Sequence, residues 1–149
     1  MKVVIQRVTQ SSLRIDQKVQ ASIDKGLVIL VGITQEDTIE DIDYLVKKII
    51  QLRIFNDENG VMNLSVNDIK GEVLLVSQFT LYADTKKGNR PSYIQAARPE
   101  VAIPLYQHMI SALNAGLHTK LQTGVFGADM QISLCNDGPV TIIIDSKNR

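Results

Sequence analysis

EVLLVSQFTL, residues 72–81, begins as a buried strand and ends as something else. Val73–Val76 is a run of β-branched and long aliphatic residues, the composition of a strand covered on both faces. The chain then turns polar without a glycine or proline, giving Ser77, Gln78, Phe79 and Thr80 in succession. Each unpaired polar group at a buried strand end costs about 1–3 kcal/mol, so these side chains need partners. Either neighbouring backbone supplies them, with Phe79 in the core, or a ligand does. A second stretch, Asn136–Thr141, NDGPVT, weighs toward the ligand. It lies between two strand-like runs, Met130–Cys135 and Val140–Asp145.

Working outward, Lys2–Thr9 alternates as a strand, with Val3 and Ile5 on one face and Arg7 beside them. An arginine there either snorkels to water from the strand end or uses its planar fork of donors to fix a piece of backbone. Leu13, Ile15 and Val19 indicate a second, half-exposed strand, and Gly26–Ile33 a central one. Thr38–Arg53 reads as a helix: Thr38 and Asp41 resemble a capping box. Ile39, Ile42, Leu45, Val46, Ile49 and Leu52 form its apolar stripe. Asn59-Gly60 marks a hairpin turn between Ile54-Phe55 and Val61–Leu64.

Tyr82–Ala97 reads as a surface loop carrying Lys86, Lys87, Arg90 and two tyrosines, which also suits a phosphate backbone with stacked bases. Pro99–Ala115 is a second helix, with Gly116 as its natural C-terminal cap and Pro104 either starting or kinking the regular part. Thr123–Met130, TGVFGADM, sets an exposed-looking Phe126 between glycines, where backbone can approach closely or simply turn.

The 149 residues are enough for one domain, residues 1–149, with a real core. Sixteen basic residues balance sixteen acidic ones, which argues against a generally sticky nucleic-acid binder but not against a local basic patch. One cysteine, Cys135, excludes an intramolecular disulfide and fits a reducing compartment; its spacing from Ile132 and Leu134 reads as a small residue near the core. The start, MKVVIQRV, is too short and too soon polar for a signal peptide, and no apolar run approaches the roughly 20 residues of a membrane helix. A cytoplasmic protein without a membrane partner is expected. His108 and His118 have no ligand partners at metal-binding spacing, so no metal and no cofactor are expected.

With SQFTL, TGVFGADM and NDGPVT in this order, and with the IQRV start and the KKGNRPSY loop, the sequence resembles the D-aminoacyl-tRNA deacylases along essentially its whole length. The resemblance implies a hydrolase that cleaves the ester joining a D-amino acid, or glycine, to the 3′ end of tRNA. It implies a homodimer with active sites at the interface, aminoacyl-tRNA as partner and no role for DNA. Ser77, Gln78, Phe79 and Thr80 would line one subunit's pocket. Gly138 and Pro139, joined by a cis peptide, would enter from the other subunit, with Arg7 holding their backbone. Only about 5–6% of X–Pro bonds in folded proteins are cis, so the sequence alone does not reveal this one. Phe126 and Met130 would pack near the terminal adenosine, and Lys86, Lys87 and Arg90 would touch tRNA.

The inventory contains no Ser-His-Asp set, no Cys-His pair and no base beside Thr80 in its motif. Positioning, backbone donors and the 2′-OH of the terminal ribose are then the expected sources of rate. Thr80 as nucleophile ranks second. Two rivals are a tRNA-binding homodimer without catalysis and a small-ester hydrolase with Thr80 as nucleophile. The expected fold is one α+β domain, a mainly antiparallel, partly barrel-like sheet with two packed helices.

Overall fold

The computed structural model describes residues 1–149 as a single α+β domain. Strand β1 (Lys2–Ile15) is the spine. Its first half pairs antiparallel with β3 (Gly26–Gly32), and its second half with β2 (Lys18–Ile23). Asp16 and Gln17, both at positive φ, turn the chain between β1 and β2. β6 (Glu72–Ser77) lies parallel to β3, and β7 (Leu121–Thr123) parallel to β6. β8 (Gln131–Asp145) runs antiparallel along the other edge of β1 for almost its whole length. The sheet is therefore mixed and nearly barrel-shaped: its antiparallel pairs all involve β1, and its parallel pairs both involve β6. A small hairpin, β4 (Phe55–Asn56) with β5 (Met62–Leu64), turns at Asn59-Gly60 as expected, with Gly60 at φ +75°.

The continuous apolar reading of β6 has a plain cause. Val73 and Leu75 face one core, Leu74 and Val76 a second, and all four are buried. The first core is shared with α1 (Ile39–Gln51) and α2 (Pro99–Gly116) through Ile42, Leu45, Ile49, Tyr106, Met109 and Leu113. Thr38 and Asp41 form the expected capping box.

Asp41 also receives Lys147 Nζ at 2.7 Å. Burial alone would raise its carboxyl; the hydrogen bonds from Lys147, the Thr38 amide and Ser146 outweigh burial and hold it far below the usual carboxylate range. Nearby, the Met1 amino group donates to buried Asp37 at 2.5 Å and to Ser146 Oγ at 2.8 Å. This cluster ties the chain's two ends onto α1.

Several local expectations change. Leu13 and Ile15 continue β1 rather than share a second strand with Val19, which lies in β2. Asn136–Thr141 does not separate two strands; it is a bulge inside β8. Thr141 pairs with Gln6 and Asn136 with Val8, so residues 137–140 stand opposite Arg7 alone. Cys135 is exposed, because alternation along β8 turns Ile132 and Leu134 inward. Of the two alternatives for Phe79, the core is excluded, since the ring is 57% exposed. Gly116 is not a left-handed cap but the last residue of α2, where a side chain would run into Ile50 of α1. Pro104 lies inside α2. No helix is long and apolar enough to cross a membrane.

Candidate active site

At Ser77, β6 ends and the backbone curls. The Gln78 amide donates to the Val31 carbonyl at 2.7 Å, and Phe79–Tyr82 form one turn of 3-10 helix. That turn lies directly on β3 at Gly32, where a Cβ would stand only 2.9 Å from the Leu81 Cβ. The tight curl projects the motif's side chains in different directions. Gln78 Nε2 donates to Thr80 Oγ1 at 2.5 Å. The partner of the Thr80 oxygen is thus an amide donor, which occupies a lone pair and withdraws charge.

Ser77, Gln78 and Phe79 line a cavity of about 280 Å³. Its opposite wall comes from the Gly124–Met130 loop, which supplies Phe126 and Met130, and from Ala102 of α2. A Cβ at Gly124 would meet the Met130 sulfur at 2.5 Å, so the Met130 side chain would have to shift; Gly127 turns the loop at φ +78°. Phe126 is half-buried and its ring leans on Tyr106, with centroids 5.9 Å apart. Tyr106 in turn donates its hydroxyl to the Leu75 carbonyl at 3.0 Å, two residues before Ser77. Burial pushes that hydroxyl up to about 12, so it stays a donor. One side chain on α2 therefore braces both walls. Nothing in the sequence singles out Tyr106 beyond a hydroxyl set among Val101, Leu105, Met109 and Leu113.

The β8 bulge is built differently. Arg7 is only 7% exposed. Its Nη1 donates to the Ile54 carbonyl at 2.6 Å and to Asn56 Oδ1 at 3.4 Å; its Nε donates to the Asp137 carbonyl at 3.2 Å and pairs with Asp137 Oδ2 at 3.1 Å. Of the two sequence alternatives for Arg7, the structure has the one in which the fork holds backbone. Asn136 Nδ2 spans the neck of the bulge, donating to the Arg7 and Val140 carbonyls at 3.0 Å each. Gly138 has φ +116°, and the Gly138-Pro139 peptide is cis. A Cβ at Gly138 would sit 2.9 Å from Arg7 Nη2. Gly138 and Pro139 are both exposed.

The structure brings Ser77, Gln78, Phe79, Phe126 and Met130 to one cavity, with Thr80 held to Gln78. It gathers Arg7, Gly138 and Pro139 at a second place, none of them lining that cavity. Lys86, Lys87 and Arg90 are exposed on a loop closed by a bridge between Asp84 and Ser92. His108 and His118 are exposed.

Comparison with known proteins then adds the family. A family model described as D-Tyr-tRNA(Tyr) deacylase matches residues 4–145. A protein of Flavobacterium psychrophilum named D-aminoacyl-tRNA deacylase is 67% identical over 149 residues, covering 100% of this chain and 99% of that one. One of Bacteroides fragilis with the same name is 58% identical, with the same coverage. Among solved structures, one described as a c-Myc DNA unwinding element binding protein is 39% identical and superposes with a TM-score of 0.92 over 97% of this chain and 98% of that chain. A structure of a probable eukaryotic D-amino acid tRNA deacylase shares the fold at 16% identity, with a TM-score of 0.80 over 96% of this chain and 97% of that chain.

Proposed function

This chain belongs to the D-Tyr-tRNA(Tyr) deacylase family, and from that premise we propose how its two halves of a site hydrolyse the ester of D-aminoacyl-tRNA. The chain is a D-aminoacyl-tRNA deacylase: water adds to the ester carbonyl, the bond to the ribose 3′ oxygen breaks, and that oxygen takes up a proton. The products are a free D-amino acid and tRNA.

In this reading the cavity takes the terminal adenosine against Phe126 and Met130, with the ester at the Ser77–Thr80 curl. Gly138 and Pro139 of the partner subunit cover it, so the working unit is a homodimer. The supporting observation is that one chain's cavity lacks Gly138 and Pro139, while its own bulge presents them, rigidly held, to the outside. Backbone carbonyls facing the α-carbon leave room for hydrogen but not for an L side chain. Glycine carries only hydrogens there and is therefore also cleaved. Lys86, Lys87 and Arg90 contact tRNA phosphates.

Thr80 is a positioning residue. A nucleophilic hydroxyl needs a base, and the oxygen of Thr80 is held by the Gln78 amide instead. General-base help is typically worth about 10²–10⁴-fold, so another proton acceptor is needed. The 2′-OH of the terminal ribose lies next to the ester and arrives with every substrate. The deciding experiment uses D-tyrosyl-tRNA ending in 2′-deoxyadenosine, with the amino acid on the 3′ oxygen. Cleavage should slow on the order of 10²-fold or more while binding persists. Normal turnover of that substrate, or an acyl-Thr80 adduct found by mass spectrometry, would replace this mechanism with a protein nucleophile.

A further inference from the structure

Beside the cavity stands an apolar ledge that the fold itself does not explain. Phe79, Tyr93 and Ile94 are 57, 39 and 92% exposed. Phe79 meets Tyr93 edge to face, with centroids 5.0 Å apart and planes at 76°. Tyr93, Ile94, Ala96, Gln35 and Arg98 line a shallow cleft, while Phe79 and Ala97 line the cavity itself. The ledge is thus continuous with the cavity across Phe79 and the Ala96-Ala97 pair.

Its electrostatics point to an anion. Segment 84–98 carries Lys86, Lys87, Arg90 and Arg98 against one carboxylate, Asp84. That carboxylate already accepts the Lys86 amide at 2.9 Å. A second copy seated ledge to ledge would set these cations against their own counterparts. A single-stranded polynucleotide offers the opposite: flat bases for the ring and the aliphatic surface, phosphates for the cations.

We infer that this ledge seats the nucleotides just before the terminal adenosine in the unpaired 3′ end of tRNA, with a base stacked on Tyr93 and Ile94. The inference rests on the reading that the cavity takes the adenosine. Stacking on an aromatic side chain contributes on the order of a 10-fold gain in affinity per base.

The test compares three substrates, D-tyrosyl-tRNA, D-tyrosyl-CCA trinucleotide and D-tyrosyl-adenosine, on the wild type, Tyr93→Ala, Ile94→Ala and Tyr93→Phe. For Tyr93→Ala, KM for tRNA and trinucleotide should rise on the order of 10-fold with kcat within about 2-fold. Ile94→Ala should raise the same two KM values by less. Tyr93→Phe should restore KM, because the ring remains. D-tyrosyl-adenosine should be cleaved equally by all four proteins. Equal losses on the adenosine ester would make the ledge a cavity wall and overturn the inference. So would unchanged KM on every substrate, or losses that track dissociation of a dimer in sedimentation. A wild type that leaves D-tyrosyl-tRNA intact would instead sink the functional reading on which the ledge depends.

Discussion

At the end of β6 the backbone curls away and leaves its polar side chains facing a cavity; in the β8 bulge, side chains reach in and hold the backbone. Ser77, Gln78 and Phe79 line open space, and Thr80 is held by one neighbouring amide. Around Gly138, by contrast, Arg7 and Asn136 together make donor contacts to the carbonyls of residues 7, 54, 137 and 140. The first region is open space lined by side chains, proposed above to bind substrate. The second is a shaped piece of main chain with no cavity of its own. Chemistry that needs side-chain contacts can tolerate adjustment at the first; discrimination by backbone shape needs the rigidity of the second.

The largest effect should come from reshaping the rigid region. Gly138→Ala puts a methyl group at φ +116°, against Arg7 Nη2 and Val140 Cγ2. Hydrolysis of D-tyrosyl-tRNA should fall on the order of 10²-fold or more, with the circular dichroism of the native fold retained. A folded variant with the wild-type rate would remove the bulge from the site.

Next comes loosening it. Arg7→Lys keeps the charge and loses the fork, so the Ile54 and Asp137 carbonyls can no longer share one donor group. Stability by denaturant titration should drop by about 2 kcal/mol, and the rate should fall on the order of 10-fold. A drop in stability with an unchanged rate would show that the bulge need not be held.

Thr80→Ala probes the pliant region. Losing one hydrogen bond of about 1 kcal/mol predicts a fall of roughly 5-fold in kcat/KM and no covalent intermediate in either protein. A collapse of many orders of magnitude would make the hydroxyl a reacting group and reverse the comparison.

The smallest effect belongs to Tyr106→Phe. The ring stays on Phe126 while the bond to the Leu75 carbonyl is lost. Stability should fall by about 1 kcal/mol, and kcat/KM should change by less than about 3-fold. A larger loss of activity than of stability would mean that the brace sets the cavity's shape.

Away from both regions, the Asp41 cluster should shape the acid limb of stability. Its folded-state carboxyl lies below the ordinary 3.8, so the stabilisation is present above that pH and is lost as pH falls below it. Asp41→Asn should flatten that limb in thermal melts taken across pH.

Local chemistry was legible along the chain. The apolar stripe and capping pair of α1, the Asn59-Gly60 hairpin and the buried run of β6 each follow from side chains within a few residues of one another. Ser77–Thr80 stood out because strand ends rarely turn polar without a turn residue, whereas their place in a pocket with Phe126 and Met130 was implied only by the resemblance to the deacylases. Long-range pairing was not legible in the same way. The bulge depends on how 14 residues of β1 meet 15 of β8, and nothing within NDGPVT distinguishes a bulge from a turn between strands.

By itself, then, the sequence determined both helices, the core of most strands and which residue types can bear the chemistry, but not where strands end, because propensity, periodicity and capping act over one or two turns. Only the tertiary structure decided that Phe79 stands out in solvent, that Tyr106 braces both cavity walls, and that Arg7 and Gly138 are neighbours. Those facts depend on contacts between residues far apart in the chain, such as Arg7 and Asp137 at 130 positions, and such contacts arise from packing the whole sheet against its helices.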